Sequence, residues 1–141
     1  MKTDDRLIYL ILTAQQTLRT HLNNALAASG VKVTIAQSGI LFLLKQKDGR
    51  TMTELSRILG IDNSTLTGLT DRLEKAGLVK RNANPGDRRS SHISITQEGI
   101  EQVEGAKIVI HQVNDRIKEG FSTADVESFK AVLNAFSTKF N

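Results

Sequence analysis

The stretch Leu59-Gly60-Ile61-Asp62-Asn63-Ser64-Thr65-Leu66-Thr67-Gly68-Leu69-Thr70-Asp71-Arg72-Leu73-Glu74-Lys75-Ala76-Gly77 decides the fold of this chain. Gly60 and Gly77 bracket one amphipathic helix that starts at Asp62 or Asn63 and runs to Ala76, with Gly77 as its stop. At about 100° per residue, Leu66, Leu69, Leu73 and Ala76 form its inward stripe. Ser64, Thr67, Gly68, Asp71 and Lys75 then fall near the opposite face, with Thr65 and Arg72 on its flank. The first turn, Asn63-Ser64-Thr65 with Thr67, is small and rich in hydrogen-bonding groups. Such residues either cap the helix or meet a polar partner. Gly68 costs about 1 kcal/mol of helix propensity relative to Ala, so a compensating reason for it is expected.

On the N-terminal side, Thr51 and Glu54 have capping-box spacing, followed by Leu55, Ile58 and Leu59 on a short helix that ends at Gly60. Thr34 and Gln37 repeat that spacing ahead of Ile35, Ile40, Leu41 and Leu44, a helix that ends near Lys47 with Asp48-Gly49 as a turn. Before it, Leu7, Ile11, Ala14, Leu18, Leu22 and Ala25 recur every three or four residues in a long helix over 4–29, with Gly30 as its stop.

On the C-terminal side the period changes to two. Leu78–Asn82 and His92–Thr96 read as short strands, with Ile93 and Ile95 on one face. Between them, Pro85-Gly86 suits a type II turn, and Asp87, Arg88 and Arg89 load the tip of this hairpin with charge. The helical period then returns over 97–118. A last helix begins at Ser122 and carries Val126, Phe129, Leu133, Phe136 and Phe140 at alternating spacings of three and four, a heptad seam that packs on another helix. Packing within the chain is one reading of this seam. A subunit interface is the one favoured here, because Leu7 and Ile11 head a second narrow apolar seam on the first helix.

Fold class follows: mainly α with a small β-hairpin. Two short helices joined at a glycine and followed by a basic hairpin make a winged helix-turn-helix. The expected organisation is one chain, 1–141, with a DNA-binding lobe at 34–96 and helical dimerisation regions at 4–29 and 97–141.

Composition agrees. The 141 residues, 39% hydrophobic and 24% charged, fit an ordinary globular chain of about one domain. Cysteine is absent, which excludes disulfides, thiolate nucleophiles and cysteine-ligated metal. The net charge of +4 is unevenly spread. From Lys45 to His92 there are ten basic and six acidic residues, against nine of each elsewhere, so the whole excess sits in the middle third. That concentration points to a nucleic-acid-facing segment. A helix fits the major groove with its N-terminal residues at the base edges. The expected DNA-binding set is therefore Asn63, Ser64, Thr65, Thr67, Gly68, Arg72, Asp87, Arg88 and Arg89. An arginine at the end of a narrow ribbon can enter the minor groove, and Asp87 can hold one guanidinium and aim the other. Lys80 and Arg81 suit backbone contacts. A phosphate is favoured at the positive end of the helix beginning near Asn63.

Other readings stay open. The Thr67–Gly68 face can be plain solvated surface, and the hairpin tip a solubilising turn. Asp71 and Glu74 argue slightly against DNA unless each pairs with a neighbouring arginine, and they motivate the alternative of a winged-helix module that binds protein. No phosphate loop, metal-ligand pair or nucleophile–base motif is present, so no enzyme, metal or cofactor is expected. The run Leu7–Leu12 is too short to span a bilayer and follows Asp4 and Asp5, the wrong flank for a secretory leader. No membrane partner is expected, and the expected location is cytoplasmic.

Taken together, Leu59-Gly60-Ile61, Ser64-Thr65-Leu66-Thr67, Asp71-Arg72-Leu73-Glu74-Lys75-Ala76-Gly77-Leu78-Val79-Lys80-Arg81, Pro85-Gly86-Asp87-Arg88-Arg89 and Ile95-Thr96-Gln97-Glu98-Gly99 resemble the MarR (multiple antibiotic resistance regulator) family. Thr34-Ile35-Ala36-Gln37 is also typical of that family's second helix. The match is dense over the middle third, and helix order carries it through the remainder. The resemblance implies a homodimeric transcription regulator on double-stranded DNA, most often a repressor, whose first and last helices pair across a two-fold axis. It implies that the helix at Asn63–Ala76 reads the major groove, that Arg89 reaches the minor groove and that Asp87 supports the wing. Gly68 stands where relatives often carry a larger residue. Many relatives release DNA when a small aromatic acid or phenol binds between the dimer helices and the DNA-binding lobe. On that basis Gln16, Arg19 and His111 are the candidate effector contacts, with a surface salt bridge as the plainer role for Arg19. Relatives that sense oxidants use cysteine, which is missing here. A few bind zinc, but His21, His92 and His111 are dispersed along the chain.

Overall fold

The computed structural model describes residues 6–82 and 91–141. Its elements run α1 (Leu7–Ala28), α2 (Ile35–Gln46), β1 (Arg50–Thr51), α3 (Met52–Leu59), α4 (Asn63–Lys75), β2 (Val79–Asn82), β3 (His92–Ile95), α5 (Gln97–Lys118) and α6 (Thr123–Lys139). The chain divides into two compact units, Met1–Val109 and Ile110–Asn141, and the division falls within α5.

In the first unit, local chemistry sets the helix ends. Thr34 and Gln37 form a reciprocal capping box at the start of α2, and Thr51 and Glu54 form another at the start of α3. The Glu54 carboxyl is held below the usual carboxylate range, first by the Thr51 backbone N–H that it accepts. Asn23 on α1 accepts the Ile35 N–H at 2.9 Å, which ties the start of α2 to the first helix. The core is continuous across α2, α3, α4 and the sheet. Ile40, Leu41, Leu44, Leu55, Leu66 and Ile93 are all fully buried within it.

The sheet differs from the expected two-stranded hairpin. It has three antiparallel strands in the order β1-β3-β2, with Arg50 opposite Ile93, and Lys80 opposite Ser94. β1 is only two residues long, too short for any period to register. Non-local bonds hold it. Gly49 donates to the Ile93 carbonyl at 3.1 Å, and Asp48 accepts the Ile95 N–H at 2.9 Å. Ile93 is fully buried, whereas Ile95 is only partly so.

The start of α5 is locked to the start of β2. Thr96 donates its hydroxyl to the Gly77 carbonyl at 2.7 Å, and its own N–H bonds the Leu78 carbonyl at 3.0 Å. A Cβ on Gly99 would stand 2.2 Å from the Leu78 carbonyl oxygen, so only glycine permits this approach.

In the second unit, Ser122 and Asp125 form the capping box of α6. No residue of α6 is buried. Phe129, Leu133 and Phe140 are exposed, while Val126 and Phe136 are partly covered, and the Phe136 and Phe140 rings meet edge to face at 5.7 Å. On α1, Leu7 is 67% and Ile11 38% exposed. Apolar seams on the first and last helices are therefore open in the single chain.

Candidate nucleic-acid interface

The second helix of the helix-turn-helix is α4, and the turn before it is built by two residues. Gly60 adopts the left-handed conformation with φ 66°, which other residues reach only at a cost. Ser56 accepts the Gly60 N–H on its carbonyl at 2.9 Å and donates its hydroxyl to the Ile61 carbonyl at 2.7 Å. The chain therefore leaves α3 and enters α4 along a fixed path.

Asp62 caps α4. Its Oδ1 accepts the Thr65 N–H at 2.7 Å and the Ser64 hydroxyl at 2.8 Å. These bonds, the Thr65 amide first, hold the Asp62 carboxyl below the usual aspartate range. Two expectations change as a result. The cap is Asp62 and none of Asn63, Ser64 or Thr65, although Ser64 joins the cap through its hydroxyl. The expected phosphate seat at this helix start is also weakened, because a carboxylate already satisfies the Thr65 amide and places negative charge there.

The outward face matches the periodicity. Asn63, Ser64, Thr65, Thr67, Asp71, Arg72 and Lys75 are exposed, and Gly68 is half-covered. The inward stripe is Leu66, Thr70 and Leu73, with Leu69 packed at the margin of the core. Thr70 replaces the expected Ala76, which is the exposed C-cap residue. The reason is geometric: Thr70 lies one turn after Leu66 on the same face, whereas Ala76 has already left the helix.

Of the acidic residues on α4, Asp71 has a basic side-chain partner and Glu74 bonds a backbone amide. Asp71 pairs with the Arg81 guanidinium at 3.0 Å, and Glu74 accepts the Arg81 N–H at 3.3 Å. Arg81 thus braces β2 against α4. This bracing role comes in addition to the backbone contact expected of Arg81. Lys80, its neighbour, is exposed. The Asp87, Arg88 and Arg89 readings lie outside the described residues.

Gln16 and Arg19 are exposed on α1. Among the described residues Arg19 has no acidic partner, so the surface salt bridge weighed for it is not formed. His111 is exposed on α5, with its Nε2 3.8 Å from Asp115. Among the described residues no group of three or more His, Cys, Asp and Glu could hold a metal ion, and no helix is long and apolar enough to cross a membrane.

A turn fixed by Gly60, a helix with a small polar outer face and a three-stranded sheet behind it make a winged helix-turn-helix. Known proteins agree. Residues 33–91 match the sequence profile of the MarR family. The transcriptional repressor MprA of Escherichia coli K12 is 25% identical over 132 residues, covering 94% of this chain and 75% of MprA. The transcriptional repressor CouR bound to a 23-mer DNA duplex superimposes with a TM-score of 0.83, at 26% identity over 97% of this chain and 99% of CouR. CouR of Rhodococcus jostii RHA1 bound to p-coumaroyl-CoA superimposes with a TM-score of 0.77, at 27% identity over 94% and 92% of the two chains. Residues 33–91 of this chain are thus a MarR-family segment, and nearly the whole chain is similar in fold to the repressor CouR.

Proposed function

We propose that this protein is a cytoplasmic, homodimeric transcriptional repressor that binds pseudo-palindromic double-stranded DNA, and that it is not an enzyme. The single observation that carries the reading is the outer face of α4. It is polar, exposed and set by the rigid Gly60–Ser56 turn, and it belongs to a fold that CouR uses on a 23-mer duplex. In this reading residues 34–96 form the DNA-binding lobe. Asn63, Ser64, Thr65, Thr67, Gly68 and Arg72 meet the major groove, while Asp87, Arg88 and Arg89 act from the wing. Segments 4–29 and 97–141 form the dimer through Leu7, Ile11, Val126, Phe129, Leu133, Phe136 and Phe140. Their open apolar seams support this, because exposed seams of this kind mark surfaces that a second chain covers.

In such a dimer, the two reading helices sit about 34–36 Å apart, one turn of the duplex. Most of the affinity comes from phosphate contacts and falls steeply with salt. A small aromatic or phenolic effector releases the DNA by favouring a spacing of the lobes that does not fit two half-sites. CouR with its phenolic thioester ligand supports that class of effector. Gln16, Arg19 and His111 are the residues assigned to it, each on its own exposed surface. The alternative of a protein-binding module rests on Asp71, Glu74 and the modest net charge; of these, Asp71 is paired with the Arg81 side chain and Glu74 accepts the Arg81 backbone N–H.

The test is to incubate the protein with fragmented genomic DNA at moderate salt and sequence what is retained. Enrichment of a pseudo-palindrome with half-sites one turn apart is the expected result. Retention without any motif, or no retention, defeats the reading.

A further inference from the structure

Gly68 stands apart from the other described glycines. Of the nine, it alone has neither a positive φ nor any atom within 4 Å of where a Cβ would stand. The fold therefore gives no reason for glycine at this position, in the middle of a 13-residue helix. Helix propensity opposes it. Gly68 also borders a shallow open depression on the outer face of α4, flanked by Asp71, Arg72, Glu74 and Lys75. The missing side chain leaves room for something that is not part of this chain.

The chemistry of that room is narrow. At a helical glycine the exposed atoms are the Cα and its hydrogens, while the amide and carbonyl are turned along the helix axis into the backbone ladder. No donor or acceptor is offered, so a favourable contact there is apolar. In the major groove the one apolar group on a base edge is the C5-methyl of thymine.

We infer that Gly68 seats a thymine methyl directly against the α4 backbone and so fixes one thymine in each operator half-site. This rests on the DNA-binding reading above and deepens it, by assigning a specificity determinant and the base it selects.

The test pairs a protein change with a DNA change. The operator recovered from genomic DNA is synthesised with deoxyuridine in place of thymine, one position at a time, which removes only the methyl. Affinities are measured for the full-length protein and for Gly68→Ala, whose new methyl occupies the same space. At one thymine per half-site, deoxyuridine should weaken the unaltered protein about fourfold, the effect of one lost methyl contact. Gly68→Ala should bind the thymine operator more weakly and regain affinity on that same deoxyuridine operator. Its melting temperature should rise by about 3 °C, because alanine is the better helix former.

Equal deoxyuridine effects on both proteins at every position overturn the inference. So does a lowered melting temperature, which would mean that the glycine serves the fold after all. The two readings fail separately. If the unaltered protein enriches no sequence, the regulator assignment falls and takes the thymine seat with it. If it enriches an operator but Gly68→Ala shows no reversal at any thymine, only the thymine seat falls.

Discussion

The helix-turn-helix lobe and the last helix solve opposite problems. In the lobe, Leu41, Leu44, Leu55, Leu66 and Ile93 close a core from which water is wholly excluded. In α6 no residue is buried, and the apolar Phe129 and Leu133 lie open, as does Phe140 just past its end. One region is finished by the single chain and the other is not. Folding and assembly are thus assigned to different residues, and it should be possible to break either without breaking the other.

The largest effect is expected from α6. Replacing Phe129 and Leu133 together by Asp should abolish the dimer, as read by sedimentation equilibrium, and lower operator affinity by about a hundredfold or more. The circular dichroism of the lobe should survive. A variant that stays dimeric would refute the assignment of this seam. Next comes the lobe itself: Leu66→Ala should cost about 3 kcal/mol of stability, the usual penalty for emptying a fully buried leucine site. Urea unfolding measures it, and a loss below about 1 kcal/mol would mean that the core is looser than its burial implies. Arg89→Ala should weaken operator binding by more than about tenfold, the scale of a lost arginine–base contact, while leaving fold and dimer intact. An unchanged affinity would remove the wing from the interface.

The smallest expected effect separates a charge from a hydrogen bond. Asp62 has its carboxyl pKa lowered on folding by the Thr65 amide, so its contribution is present above the ordinary aspartate range and is lost as pH falls through the folded pKa. Asp62→Asn keeps an acceptor at the cap but cannot titrate. The two proteins should match in helicity at neutral pH. On acidification, the part of the melting-temperature loss that Asp62 contributes should disappear in the variant. Identical acid profiles would show that the charge adds nothing to the cap.

Much of this was legible in local sequence, because the determinants sit within four residues of each other. The boxes Thr34–Gln37, Thr51–Glu54 and Ser122–Asp125 mark three helix starts, and Gly60 marks the turn. The outer face of α4 followed from its period. What stayed hidden depends on partners far along the chain. β1 exists because Arg50 and Thr51 meet Ile93 and His92, some forty residues later. The pairing of Arg81 with Asp71 spans ten residues and two elements, and no periodicity reports such a pair. Asp62 as the N-cap residue was obscured for a different reason, since four consecutive residues could each have served and only backbone geometry chooses between them.

The Gly99 seam has a mechanical consequence. With the Leu78 carbonyl pressed against its Cα and Thr96 bonded to Gly77, the joint between the sheet and α5 has no slack. A twist applied to the first turns of α5 is not absorbed at that joint. It is carried toward the end of α4, because the two backbone carbonyls that hold the joint, those of Gly77 and Leu78, directly follow that helix.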